Sequence, residues 1–91
     1  MTEHLQSVQD LAQRVEQEYA GIRTDCADFR TGAIVLEVHW QSRAWVFAYT
    51  PNRGFAVGEV RADETADEYA IVTPEFTAAA DKLLELLAAA Q

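Results

Sequence analysis

The chain has 91 residues, enough for one domain with a single core and not for two. Hydrophobic residues make up 49% and aromatics 10%, which excludes a disordered chain. The net charge of −8 works against nucleic-acid and anionic-membrane binding and favours a basic partner.

The charge is unevenly placed. Residues 1–29 hold six acids and two bases, residues 30–60 two acids and three bases, and residues 61–91 seven acids and two bases. Acidic flanks therefore enclose a slightly basic middle. The lone cysteine, Cys26, rules out an internal disulfide and fits a reducing compartment. The start, MTEHLQSVQD, lacks the basic and apolar regions of a signal peptide, and no apolar run nears the ~20 residues of a membrane span. A cytoplasmic protein is expected.

Leu5, Val8, Ala12, Val15 and Tyr19 alternate spacings of three and four, and Leu11 widens the stripe; this predicts an amphipathic helix. Thr2 suits its N-cap, and Gly21 suits the left-handed residue beyond its end. The next piece, RTDCADFRTG, reads as irregular or weakly extended, with Phe29 as an anchor.

The period then changes to two. Ile34, Leu36, Val38 and Trp40 share one face of a strand, and Val35, Glu37 and His39 the other. In the next strand Trp45, Phe47 and Tyr49 alternate with Ala44, Val46, Ala48 and Thr50. A connection of two residues, Gln41-Ser42, or a four-residue loop in the same register, pairs Val38 with Trp45, Leu36 with Phe47 and Ile34 with Tyr49. All the large apolar side chains then share one face.

PNRG signals a turn before a third strand, FAVGEVR. Counting all four residues as the turn pairs Thr50 with Phe55, Ala48 with Val57 and Val46 with Glu59. That register sets small Ala56 and Gly58 beside the aromatic rings and turns Phe55 and Val57 to the second face. ADETAD reads as a solvated acidic loop and EYAIV as a short fourth strand. Thr73 with Pro74 predicts the start of a last helix, whose stripe is Phe76, Ala80, Leu83, Leu84 and Leu87.

The fold class expected is two-layer α+β, in the order α-β-β-β-(β)-α, an antiparallel meander sheet with both helices on one face. The helix–strand–strand–strand–helix order is topologically similar to double-stranded RNA-binding domains, whose last helix begins with a lysine cluster. Here that turn reads TPEFTAAADK, setting Glu75 and Asp81 against Lys82, so phosphate binding there is disfavoured. The order also resembles part of the small acidic chaperones of bacterial secretion systems. That resemblance implies dimers that bind partner chains.

No motif for chemistry stands out. His4, His39 and Cys26 lack paired-ligand spacing, so no metal site is expected. Gly54 and Gly58 lie in or beside a strand, the wrong context for a phosphate loop, and no cofactor is expected. Cys26 lies among Asp25 and Asp28, whose charges raise a thiol pKa and argue against a nucleophile. The best acid–base grouping is Glu37, His39, Glu59 and Arg61, which the expected register places on one face.

A water-facing sheet surface normally turns polar, yet the second face is half apolar. The expectation is therefore a non-enzymatic protein-binding module, self-associating as a homodimer and suited to a basic partner: an acidic inhibitor, immunity-type or chaperone-like protein. Its expected contacts are Val35, Val46, Phe55 and Val57, rimmed by Glu37, His39, Glu59 and Arg61. One alternative is a small-molecule binder or minor enzyme using Glu37, His39 and Glu59. Another is a nucleic-acid mimic in which the helix acids and those of Asp63–Glu68 imitate phosphates.

Overall fold

The computed structural model describes residues 3–60 and 71–90. A helix α1 (Glu3–Glu18) leads into strands β1 (Arg23–Asp28), β2 (Ile34–Trp40), β3 (Arg43–Thr50), β4 (Gly54–Val60) and β5 (Ile71–Thr73), followed by helix α2 (Phe76–Ala89). The five strands form one antiparallel meander in chain order. The helices pack on the sheet, α1 over β1 and β2, α2 over β3, β4 and β5. This is the expected α+β architecture. No helix among the described residues is long and apolar enough to cross a membrane.

The core forms where the two helical stripes meet one face of the sheet. Val8, Leu11, Ala12 and Val15 of α1 and Ala79, Ala80, Leu83 and Leu87 of α2 are buried against Leu36, Val38, Trp45 and Phe47. Gly21 has φ +87°, so the chain leaves α1 through the left-handed residue that the sequence predicts. The Trp40 indole donates to the Ala20 carbonyl at 3.1 Å and packs on Tyr19, tying the end of α1 to the end of β2.

The β2–β3 hairpin has the expected register: Ile34 opposite Tyr49, Leu36 opposite Phe47, Val38 opposite Trp45. Its connection is the two-residue one. Gln41 and Ser42 both have positive φ, at 53° and 64°, as a type I′ turn requires.

Several expectations are corrected, the last of them the β4 register. Of the two readings of residues 23–28, irregular or weakly extended, the extended one holds, and they form a full fifth strand, the edge strand β1, paired along its length with β2. An edge strand is held mainly by backbone pairing, so its sequence shows little apolar alternation, and its side chains are mostly exposed. Phe29, just beyond it, is 54% exposed and anchors nothing. The last helix begins at Phe76 with Glu75 at its N-cap; Thr73 belongs to β5, and its hydroxyl accepts from the Glu75 amide at 3.2 Å.

A further correction concerns β4, whose register differs by one residue. Gly54 pairs with Thr50 as the first residue of the strand, leaving only Pro51–Arg53 as the connection. The Arg53 amide donates to the Thr50 carbonyl at 3.2 Å, and Gly54 then turns the chain with φ +85°. Tyr49 therefore faces Phe55, and Phe47 faces Val57. Phe55 and Val57 point into the core, at 1% and 0% exposure. Phe47, Phe55 and Phe76 pack edge to face or tilted, 5.6–5.8 Å apart. The gain from burying two large side chains, about 1.5–3 kcal/mol each, selects this register over the one with small neighbours. The predicted N-cap Thr2, the acidic loop Asp63–Glu68 and the first residues of EYAIV lie outside the described residues.

Candidate functional site

Strand parity gives the second face of the sheet a definite membership. It carries Arg23, Asp25 and Ala27 of β1, Val35, Glu37 and His39 of β2, and Ala44, Val46, Ala48 and Thr50 of β3. It continues with Ala56, Gly58 and Val60 of β4, and Val72 of β5. Both helices lie on the other side, so no helix among the described residues covers this face. Val35 and Val46 are half-buried by their neighbours, Val60 is 39% exposed and Val72 55%.

The surface is thus divided. Over β3, β4 and β5 it is small and apolar, with Ala44, Val46, Ala48, Ala56, Gly58, Val60 and Val72 forming a low carpet. Over β1 and the end of β2 it is charged, with Arg23, Asp25, Glu37 and His39. This follows from the strand sequences: VFA and AVGEV place only small apolar residues at the outward positions, whereas LEVHW places an acid and a histidine there.

Of the residues expected to form the contact surface, Val35, Glu37, His39 and Val46 are on the open face. Phe55 and Val57 are removed from it by the β4 register and belong to the core. Glu59 is also on the helix side, opposite Trp45. There it accepts two charge-assisted bonds from Arg43, Nε and Nη2 each at 2.7 Å, while the Arg43 guanidinium lies 5.2 Å from the Trp45 ring centroid. The bond to Glu59 raises the Arg43 pKa. Arg61 lies outside the described residues.

The expected acid–base grouping is therefore not assembled: Glu37 and His39 share a face, and Glu59 is on the opposite one. A depression of about 550 Å³ at the β2–β3 turn is lined by His39, Arg23, Trp40 and Arg43 among others, but by neither Glu37 nor Glu59.

A different grouping takes its place. The β1–β2 register sets Asp25 directly opposite Glu37, with His39 two residues further along the same face. Donor atoms of Asp25, Glu37 and His39 all lie within 4.8 Å of one another. His39 Nε2 is 3.4 Å from Glu37 Oε1. Sequence reasoning missed Asp25 because residues 23–29 were not read as a strand, and only pairing with β2 brings it to Glu37.

Cys26 lies on the other side of β1 from Asp25, with Thr24, whose hydroxyl bonds to Glu16 of α1. The residue is exposed, but partial burial of its thiol, followed by the charge of Asp28, raises its pKa. A raised pKa opposes nucleophilic use of the thiol.

No protein-family model, curated protein or solved structure matches this chain.

Proposed function

We propose that the chain is a non-enzymatic protein-binding module that docks partners on the open face of its sheet and self-associates through it. The observation that supports this is the uncovered apolar carpet of Val46, Ala48, Ala56, Val60 and Val72, on a face that neither helix covers. The acidic balance, with net charge −8, suits a basic second partner, and Asp25 and Glu37 stand at the border of the carpet. An acidic inhibitor, an immunity-type protein or a chaperone-like protein has this combination of features.

The size of the face limits the strength of self-association. Strands about 4.8 Å apart, rising about 3.3 Å per residue, give a sheet of these dimensions roughly 450 Å² per copy. Two copies face to face then bury on the order of 900 Å², below the usual range for tight complexes of about 1,200–2,000 Å². A dimer held by this face alone is therefore weak and concentration-dependent.

Light scattering on a sizing column tests the reading. The mass should rise toward two chains at high protein concentration and fall to one on dilution. Val46→Asp, on the open face, should give a monomer with an unchanged circular-dichroism spectrum. A wild-type chain that stays strictly monomeric at high concentration would remove self-association.

A further inference from the structure

We propose that Asp25, Glu37 and His39 bind a divalent transition-metal ion, of the zinc type, at the β1–β2 end of the open face. This goes beyond protein docking and does not depend on it, because all three donors come from a single chain. The ligand set is one imidazole nitrogen and two carboxylate oxygens, which suits zinc-like ions better than magnesium or calcium.

The distances fit that chemistry. Metal–ligand bonds of about 2.0–2.1 Å at tetrahedral angles put neighbouring donors about 3.3–3.4 Å apart. His39 Nε2 and Glu37 Oε1 are 3.4 Å apart, beyond the usual range for a good N–H···O bond and equal to a tetrahedral edge. The whole set lies within 4.8 Å, so closing around an ion needs only a side-chain adjustment of roughly 1 Å, within the reach of a rotamer change at exposed carboxylates.

The register supplies a second, independent reason. Like charges directly opposite on neighbouring strands are destabilising, and Asp25 faces Glu37. A divalent cation between them turns that repulsion into attraction. Arg23, opposite His39, makes no ion pair with either carboxylate among the described residues, so its guanidinium does not occupy the donors. Neither of the other two soft donors competes at this position. Cys26 faces the other side of β1, and the His4 ring packs on Tyr49 and Phe55, 4.6 and 5.4 Å away. Three ligands from one sheet face leave the fourth position directed away from the sheet, open to water or to a group on a docked chain.

Calorimetric titration of the full chain, first stripped with a chelator, with zinc chloride tests the site. One ion per chain is expected. His39→Ala and Glu37→Gln should each weaken binding at least tenfold, and Asp25→Asn about tenfold, with circular dichroism unchanged because these side chains are outside the core. The ring-proton signals of His39 should shift on zinc addition. Absence of binding by the wild-type chain would overturn the proposal, as would binding that survives both His39→Ala and Glu37→Gln. Loss of binding on Cys26→Ser or His4→Ala, with His39→Ala silent, would place the ion elsewhere and also overturn it.

Discussion

The two faces of this sheet use the same residue type for opposite ends. Val57 on the helix side is fully buried beneath α2, whereas Val46 and Val72 on the other side are half-buried and 55% exposed. Only strand parity separates them: Val46 on β3 lies opposite Gly58, and Val57 on β4 opposite Phe47. A valine here is therefore buried in the core or left on the open face according to which side of the sheet its position faces. The two faces also differ in polar chemistry. On the helix side the main ion pair, Arg43 with Glu59, lies at the sheet's end and shields Trp45. On the open side Asp25, Glu37 and His39 converge without a guanidinium between them.

The largest effect should come from exchanging the roles of the two faces. Val57→Asp puts a carboxylate in a site with no exposure and should cost about 4 kcal/mol or more, against a total of about 5–15 kcal/mol for a domain. Thermal melting should lose most or all of its cooperative transition. Val46→Asp should cost only about 1 kcal/mol, from β-propensity and partial burial, and should change association instead. Similar melting temperatures for the two variants would show that the faces are not distinct.

The turn that sets β4 parity is the next place to press. A Cβ at Gly54 would stand 2.6 Å from the Thr73 carbonyl oxygen, and its φ of +85° disfavours any other residue. The left-handed backbone alone costs about 1–2 kcal/mol, and the clash with the Thr73–Pro74 backbone adds to it. Gly54→Ala should therefore lower the melting temperature by at least roughly 4–16 °C. A smaller change in the opposite direction is expected at the other hairpin. Gln41 and Ser42 occupy left-handed backbone that Asn-Gly adopts more readily. The double change Gln41→Asn with Ser42→Gly should stabilise by about 1 kcal/mol, read as a rise of roughly 4–8 °C.

The smallest effect concerns Cys26, on the helix-facing side of β1. Partial burial and Asp28 raise its pKa, so less thiolate is present at neutral pH in the folded chain than in the unfolded one. Alkylation of the folded chain should lag behind that of the urea-unfolded chain near neutrality. The gap should narrow as pH rises through the raised pKa. Equal rates at neutral pH would show that α1 does not shelter this side of β1.

How much of this was legible depends on the signal each element leaves in its residues. The helical stripe Leu5–Tyr19 and the alternation of Ile34–Trp40 are strong because one side of each element is buried. Edge strand β1 buries almost no side chains, so RTDCAD left no apolar period to read. Missing that strand also hid Asp25 from the candidate site. The β4 register was legible in principle: applied to Phe55 and Val57, the rule that gathers large apolar residues on one face gives the observed pairing. Treating Gly54 as a turn residue instead of the first strand residue displaced every assignment after it by one.

By itself the sequence determined the class of the fold, the order of every element but the edge strand β1, the β2–β3 register and the core membership of Trp40, Trp45 and Phe47. These follow from periodicity and from burial of large apolar area, which local patterns record. Only the tertiary structure decided that Phe55, Val57 and Glu59 face the helices, and that Asp25 meets Glu37 and His39. The first placement turns on whether Gly54 closes the turn or opens the strand, which burial of Phe55 and Val57 decides; the second depends on pairing of an edge strand, which its residues' own hydropathy does not record.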